Sequence, residues 1–280
     1  MKSPLCTTAL LLILAALVSS VQAQTMQLGE VLIVASPSLP VDVDTSAFEA
    51  RIVDTVAPLW KEQVPGVELH LLSADRGDRS GEPLLVWMAD TEARRTAYAS
   101  EDETALFSKS VLASTSGDAS FASTYLSDEK AFTEYVLIGA DQLEQLPKID
   151  ILGIHFIKVR PDRAAAFEQF VRDSLHPAVA NVTPGMGLLY YKGVRGQEKG
   201  SYITVYAIES VARRETFWPT NAPEKEIVKS SFAPLKPIAH ELRTYLIDDS
   251  YLKEDTGAGA AIFESLEWTD FVHVGADRPQ

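Results

Sequence analysis

Residues 48–98 and 167–217 are two copies of one pattern. At a constant offset of 119 residues, with no gap, 14 of 51 positions are identical, against roughly three expected from average composition. The shared positions include Phe48/Phe167, Pro58/Pro177, Pro65-Gly66/Pro184-Gly185, Arg76-Gly77/Arg195-Gly196 and Arg94-Arg95/Arg213-Arg214. A tandem duplicate of this length narrows the fold sharply, because whatever apolar face one copy leaves open the other leaves open too.

Each copy has the same order of elements. In the second, ILGIHFIKV (151–159) is a dense β-branched and aromatic run and reads as a strand stopped by Arg160-Pro161-Asp162. Ala165, Phe167, Phe170, Val171, Leu175, Ala178, Val179 and Val182 recur at three and four residue spacing, which predicts an amphipathic helix ending at Pro184-Gly185. Met186–Tyr191 and Tyr202–Ile208 form a hairpin around a glycine-rich turn, a short helix carries Arg213 and Arg214, and Arg243–Ile247 supplies a fourth strand after a proline-punctuated helical stretch from 219 to 242. The first copy repeats this with VLIVA (31–35), a helix holding Phe48, Ile52, Val56, Leu59 and Trp60, and strands near Val67–Leu72, Leu84–Met88 and Tyr135–Ile138. Pro58 and Pro177 fall late in equivalent helices, where each removes a hydrogen bond and is expected to end or kink the helix.

A β-α-β-β-α-β order predicts an α+β fold: two ferredoxin-like repeats, each an antiparallel four-stranded sheet with helices on one face. Along 151–159 both alternating sets are apolar, Ile151, Gly153, His155, Ile157 and Val159 on one side and Leu152, Ile154 and Phe156 on the other. A sheet with one wet face alternates more cleanly, so the second face must be covered. The economical cover is the other repeat, giving an eight-stranded barrel with helices outside. Two separate domains would leave two apolar faces exposed. The boundaries follow as a leader at 1–23, a first repeat at 29–145, a second at 150–250 and a C-terminal tail at 254–280, whose Ile262, Phe263, Leu266, Trp268 and Phe271 call for a partner surface on the body or on another subunit.

The stretch 152–218, through its strand, "RPDRAAAFEQF", "PGMGLLYY" and "YITVYAIES", resembles the dimeric α/β-barrel superfamily, which includes antibiotic-biosynthesis-monooxygenase-like, stress-responsive and NIPSNAP-like groups. The first repeat resembles it more weakly, through LGEVLIVA, DTSAFEARIVDTVAPLW and GEPLLVWMADTEARR. The resemblance implies a pairing of two ferredoxin-like halves, here within one chain. It implies a fold and no single reaction, since members range from cofactor-independent oxygenases to haem enzymes.

The N-terminus carries one charge, Lys2, then an apolar run from Ala9 to Val18, then small and polar residues up to Val21-Gln22-Ala23. This is the pattern of a cleavable secretory signal, too short to span a bilayer comfortably. Secreted or periplasmic location is the expectation, with Cys6, the chain's single cysteine, lost in the leader. Without disulfides the mature chain relies on burial for stability. Losing Lys2 leaves 24 Lys and Arg against 39 Asp and Glu, a balance that opposes nucleic-acid and anionic-membrane partners. No later apolar run is long enough for a membrane span, so a monomer with paired halves, or a homodimer, is expected.

The chain lacks HExxH, GxSxG, Walker A and GxGxxG patterns. Of the five histidines, His155 makes the strongest case: mid-strand, on the face with Gly153, it is within reach of Tyr190 or Tyr206 if that face looks into the barrel. His155, Tyr190 and Tyr206 are therefore the candidate site residues, against the alternative of a core histidine satisfied by one tyrosine hydroxyl. His176, opposite Ala57 of the first copy, reads as a surface or helix-end residue, and His240 as a conceivable haem or metal ligand. Arg94-Arg95 and Arg213-Arg214 read as partners of nearby carboxylates at the same helix starts, Arg76-Gly77 and Arg195-Gly196 as hairpin turns, and Phe217, Trp218 and Tyr98 as core residues or the rim of a pocket. Ser108–Ser127 reads as a surface insertion and Asn181-Val182-Thr183 is formally a glycosylation acceptor. No cofactor and no metal is assigned. The functional expectation is an exported barrel protein binding a small apolar or aromatic molecule; a cofactor-independent oxygenase and a haem-binding protein are the alternatives.

Overall fold

The computed structural model describes residues 26–37, 39, 43–98, 132–141, 148–180, 186–220, 233–247 and 268–274. The leader, the 108–127 segment, the 181–183 acceptor and most of the tail lie outside them. In the first repeat, β1 (Val31–Ala35) is followed by helix α1 (Thr45–Arg51), a π-helical turn (Ile52–Val56) and α2 (Ala57–Gln63). Then come β2 (Val67–Gly77), β3 (Pro83–Ala89), α3 (Glu92–Tyr98) and β4 (Phe132–Asp141). The second repeat has β5 (Ile151–Ile157), α4 (Ala164–Phe170), a π-helical turn (Val171–Leu175), α5 (His176–Ala180), β6 (Met186–Gly196), β7 (Tyr202–Ile208), α6 (Val211–Phe217), α7 (Lys236–Arg243) and β8 (Trp268–His273).

The strands close in the order β1-β3-β2-β8-β5-β7-β6-β4, with every neighbouring pair antiparallel. Each repeat contributes four adjacent strands, and the repeats meet at two seams, β2 with β8 and β4 with β6. The barrel read from the two-faced apolar pattern is present. Its interior takes one alternating set, including Leu32, Leu72, Val86, Ile154, Val205 and Phe271, with Met26 buried among them. The outer set packs under the helices of each repeat in two further cores. Among the described residues no helix is long and apolar enough to cross a membrane.

One expected strand needs correction. Arg243–Ile247 is not the fourth strand: it finishes α7 and turns, with only Leu246 bridging to Val159. The fourth strand is β8, from the segment set apart as a tail, so that part of the tail packs on the body as expected. Pro58 and Pro177, expected to end or kink their helices, interrupt them without ending them. The Ala57 amide donates to the Ile52 carbonyl and the His176 amide to that of Val171, one residue further back than in an α-helix. This wider turn sits immediately before each proline, which has no N–H to give and whose ring crowds the preceding turn of a regular α-helix.

Local capping follows the sequence. Asp44 accepts from the Ser46 amide at 2.9 Å at the start of α1, and the Ser210 hydroxyl accepts from the Arg213 amide at 3.1 Å at the start of α6. Gly196, with φ of 86°, sits where a Cβ would fall 1.9 Å from the Phe132 carbonyl oxygen, so the β4–β6 seam needs a residue with no side chain there.

Candidate functional site

His155 does not look into the barrel. Strand β5 sends Leu152 and Ile154 inward, while the alternate residues, Ile151, Gly153, His155 and Ile157, lie under the helices of the second repeat. The register puts Tyr190, Thr204 and His155 in one row across β6, β7 and β5 on that outer face. Tyr206, one step along β7, meets His155 with ring centroids 5.3 Å apart. The three candidate residues thus share one face, the sheet–helix layer. Nor does Gly153 open space for a ligand: a Cβ there would stand 3.0 Å from Asp270 Oδ1 and 3.5 Å from Tyr206 Cβ.

The π-helical turn adds to this cluster. His176, expected at the surface or a helix end, opens α5 after the π-helical turn, but is half-buried, with its ring 6.4 Å from Tyr190 in an edge-on arrangement. Trp218, after α6, packs against Tyr206 at 6.3 Å and beside Phe217 at 5.7 Å. Tyr190 and Tyr206 are almost fully buried, and burial drives both phenols far above the usual tyrosine range. At neutral pH they are O–H donors, with no access to the phenolate. The Tyr190 hydroxyl and His176 Nε2 are buried and make no hydrogen bond among the described residues, a state that usually marks a place for water or ligand.

The first repeat supplies an internal control. The positions of His155, His176, Tyr190, Thr204 and Tyr206 are held there by Ala35, Ala57, Leu71, Leu85 and Trp87, all members of an apolar core in which Trp87 meets Trp60 at 6.1 Å. The first layer brings hydrogen-bonding atoms only through the indole N–H groups of Trp60 and Trp87 at these and neighbouring positions, whereas its duplicate carries imidazoles and hydroxyls. Beside the polar layer, sharing Val159 and Tyr202 with it, opens a cleft of about 410 Å³ rimmed by Lys158, Lys192 and Lys199. There Lys192 and the Tyr202 hydroxyl both donate to Glu168 Oε1, at 2.6 and 2.9 Å.

Two of the duplicated helix-start arginines, Arg95 and Arg214, reach beyond their own helix starts. Arg94 pairs along its own helix start, as expected, with Asp90 at 3.5 Å. Arg214 and Arg76 both reach Asp270 of β8, at 3.4 and 2.6 Å. Arg95 and Arg195 both reach Glu134 of β4, at 2.9 and 3.6 Å. Each seam therefore carries one carboxylate between two arginines, one from each repeat. Such a pairing of seams, with strand order 4-1-3-2 in both halves, decides the architecture. The chain folds as one closed eight-stranded barrel of two fused ferredoxin-like repeats.

No protein-family model and no curated protein matches this fused barrel. Solved structures of similar shape include an anthrone oxidase-like protein, with 14% identity, a TM-score of 0.45 and 87% of this chain and 90% of the other covered. A monooxygenase-like protein from Listeria innocua has 11% identity and a TM-score of 0.38, with 88% and 94% covered. A heme-degrading enzyme from Listeria monocytogenes has 9% identity and a TM-score of 0.35, with 86% and 98% covered.

Two further histidines gather where sequence reasoning did not look. His70 Nδ1 lies 3.1 Å from His273 Nε2, and His70 Nε2 lies 3.1 Å from Glu68 Oε2. Burial, with the neighbouring charges of His70 and Lys148, holds His273 down at about 4. His240 is exposed on α7. Among the described residues no set of three His, Cys, Asp or Glu side chains converges for a metal.

Proposed function

We propose that this fused barrel is an exported, soluble protein that binds a small apolar or aromatic molecule in the sheet–helix layer of its second repeat, with His155, Tyr190 and Tyr206 lining the site. The observation that carries this reading is the contrast between the duplicates: five positions that are apolar in the first repeat are His, His, Tyr, Thr and Tyr in the second. Buried polar groups cost free energy unless something satisfies them, and the Tyr190 hydroxyl and His176 Nε2 make no hydrogen bond among the described residues. Aromatic walls with a few convergent donors suit a flat ligand carrying a hydroxyl or carbonyl oxygen.

Calorimetric titration of the purified protein with 2-naphthol tests this. His155→Ala and Tyr190→Phe are expected to lower affinity several-fold while the melting temperature moves little. Unchanged binding in both variants, with only a lowered melting temperature in His155→Ala, defeats the site assignment. Oxygen consumption on adding the naphthol would turn the reading toward an oxygenase.

A further inference from the structure

We propose that His70 and His273 form a binding site for a divalent transition-metal ion of the zinc, cobalt or copper class at one end of the barrel interior. This site is on the opposite face of the sheet from the aromatic layer and stands independently of it. His70 lies opposite Val86, and His273 opposite Leu72, both partners being interior residues, so both imidazoles project inside the barrel. They come from β2 and β8, the two strands that close one seam, and are 203 residues apart in the chain.

The geometry is that of a chelating pair. His70 Nδ1 and His273 Nε2 face each other at 3.1 Å. Two nitrogens on one tetrahedral zinc, each at 2.0–2.1 Å, stand about 3.4 Å apart, so a few tenths of an ångström of ring movement admits the ion. Glu68 completes the arrangement from behind. Its Oε2 accepts from His70 Nε2 at 3.1 Å, which directs the His70 Nδ1 lone pair at His273, as carboxylates behind metal-bound imidazoles do. When the His273 proton sits on Nδ1, its Nε2 lone pair faces the same point, and the ion sits between the two lone pairs. Of the cations that act on this group, Lys148 beside His273 is paired with Asp150 Oδ2 at 2.8 Å, and Lys61 acts on Glu68. With two protein donors among the described residues, the ion keeps open positions for water or an anionic ligand, and imidazole ligation favours zinc, copper and nickel over magnesium or calcium.

The test is titration of untagged protein with cobalt(II), followed by its visible absorption, and with zinc by calorimetry. One equivalent is expected to bind. His273→Gln and His70→Gln should abolish binding, Glu68→Gln should weaken it about 10-fold, and His240→Gln should leave it unchanged. Should a histidine variant fail to fold, Glu68→Gln, read against thermal stability, still decides. Absence of binding to the parent protein at millimolar metal overturns the proposal. Equal binding by His273→Gln, or binding lost in His240→Gln, overturns it as well.

Discussion

Arg76 Nε donates to Asp270 Oδ2 at 2.6 Å across the β2–β8 seam, joining the first repeat to the last strand of the second. The same carboxylate oxygen lies 3.4 Å from Arg214 Nη1, which also reaches Asp75 at 2.6 Å. Removing the charge takes one of three carboxylates from a nearly inaccessible guanidinium, which keeps Asp75 and Glu215, and the ion pair from Arg76. Asp270→Asn is expected to cost about 3 kcal/mol, read from urea unfolding. A loss below about 1 kcal/mol would mean that the seam pair behaves like an exposed one.

Glu134, between Arg95 and Arg195 at the other seam, is pushed up to about 6, because burial outweighs the attraction of Arg95 and Glu92 adds repulsion. The folded protein therefore holds this proton more tightly than the unfolded chain does. The stabilisation from that proton is complete below about pH 4.5 and is lost as pH rises through about 6. Relative to Glu134→Gln, the parent protein should lose about 2 kcal/mol between pH 4.5 and 7. Parallel pH profiles for the two proteins would count against this environment for the carboxyl.

Neither repeat can bury its inner sheet face alone. Val86 and Leu84 of the first face Ile154 and Val205 of the second inside one interior core. Residues 24–145 and 146–280, expressed separately, should give no cooperative thermal transition, and co-expression should restore one. A sharp transition in either fragment would show that closure is dispensable.

Gly196→Ala probes the other seam at a single atom. A Cβ there meets the Phe132 carbonyl, at a backbone φ of 86° that side chains avoid. A loss of about 2 kcal/mol or more is expected in urea unfolding, whereas Gly200→Ala, where a Cβ meets nothing within 4 Å, should pay only the backbone strain.

Tyr190→Phe separates binding from packing. Its hydroxyl is buried without a hydrogen bond among the described residues, so its removal should leave stability equal or about 1 kcal/mol higher while naphthol affinity falls. A clear loss of stability instead would assign the hydroxyl a structural partner.

The duplication, the element order and the barrel itself were legible in the chain, because burial on both faces of a strand leaves a continuous apolar run that a half-wet sheet does not. Strand β8 was not legible. Trp268-Thr269-Asp270-Phe271 carries a carboxylate in mid-strand that reads as solvated, and Arg76 and Arg214, from distant segments, make its burial tolerable. The face of His155 was also hidden, since both alternating sets of β5 are apolar and nothing local says which one looks inward. His176 follows a π-helical residue that spacing arguments based on 3.6 residues per turn do not count.

By itself, then, the sequence determined that two like halves must cover one another, through the hydrophobic period of its strands and the repeat at 119 residues. Tertiary structure alone decided which side chains meet: the arginine clamps at the seams, the polar layer of the second repeat, and the approach of His70 to His273. The physical reason is that period and propensity are local properties of a chain, whereas pairing of charges and imidazoles depends on strand register set by closure of the whole barrel.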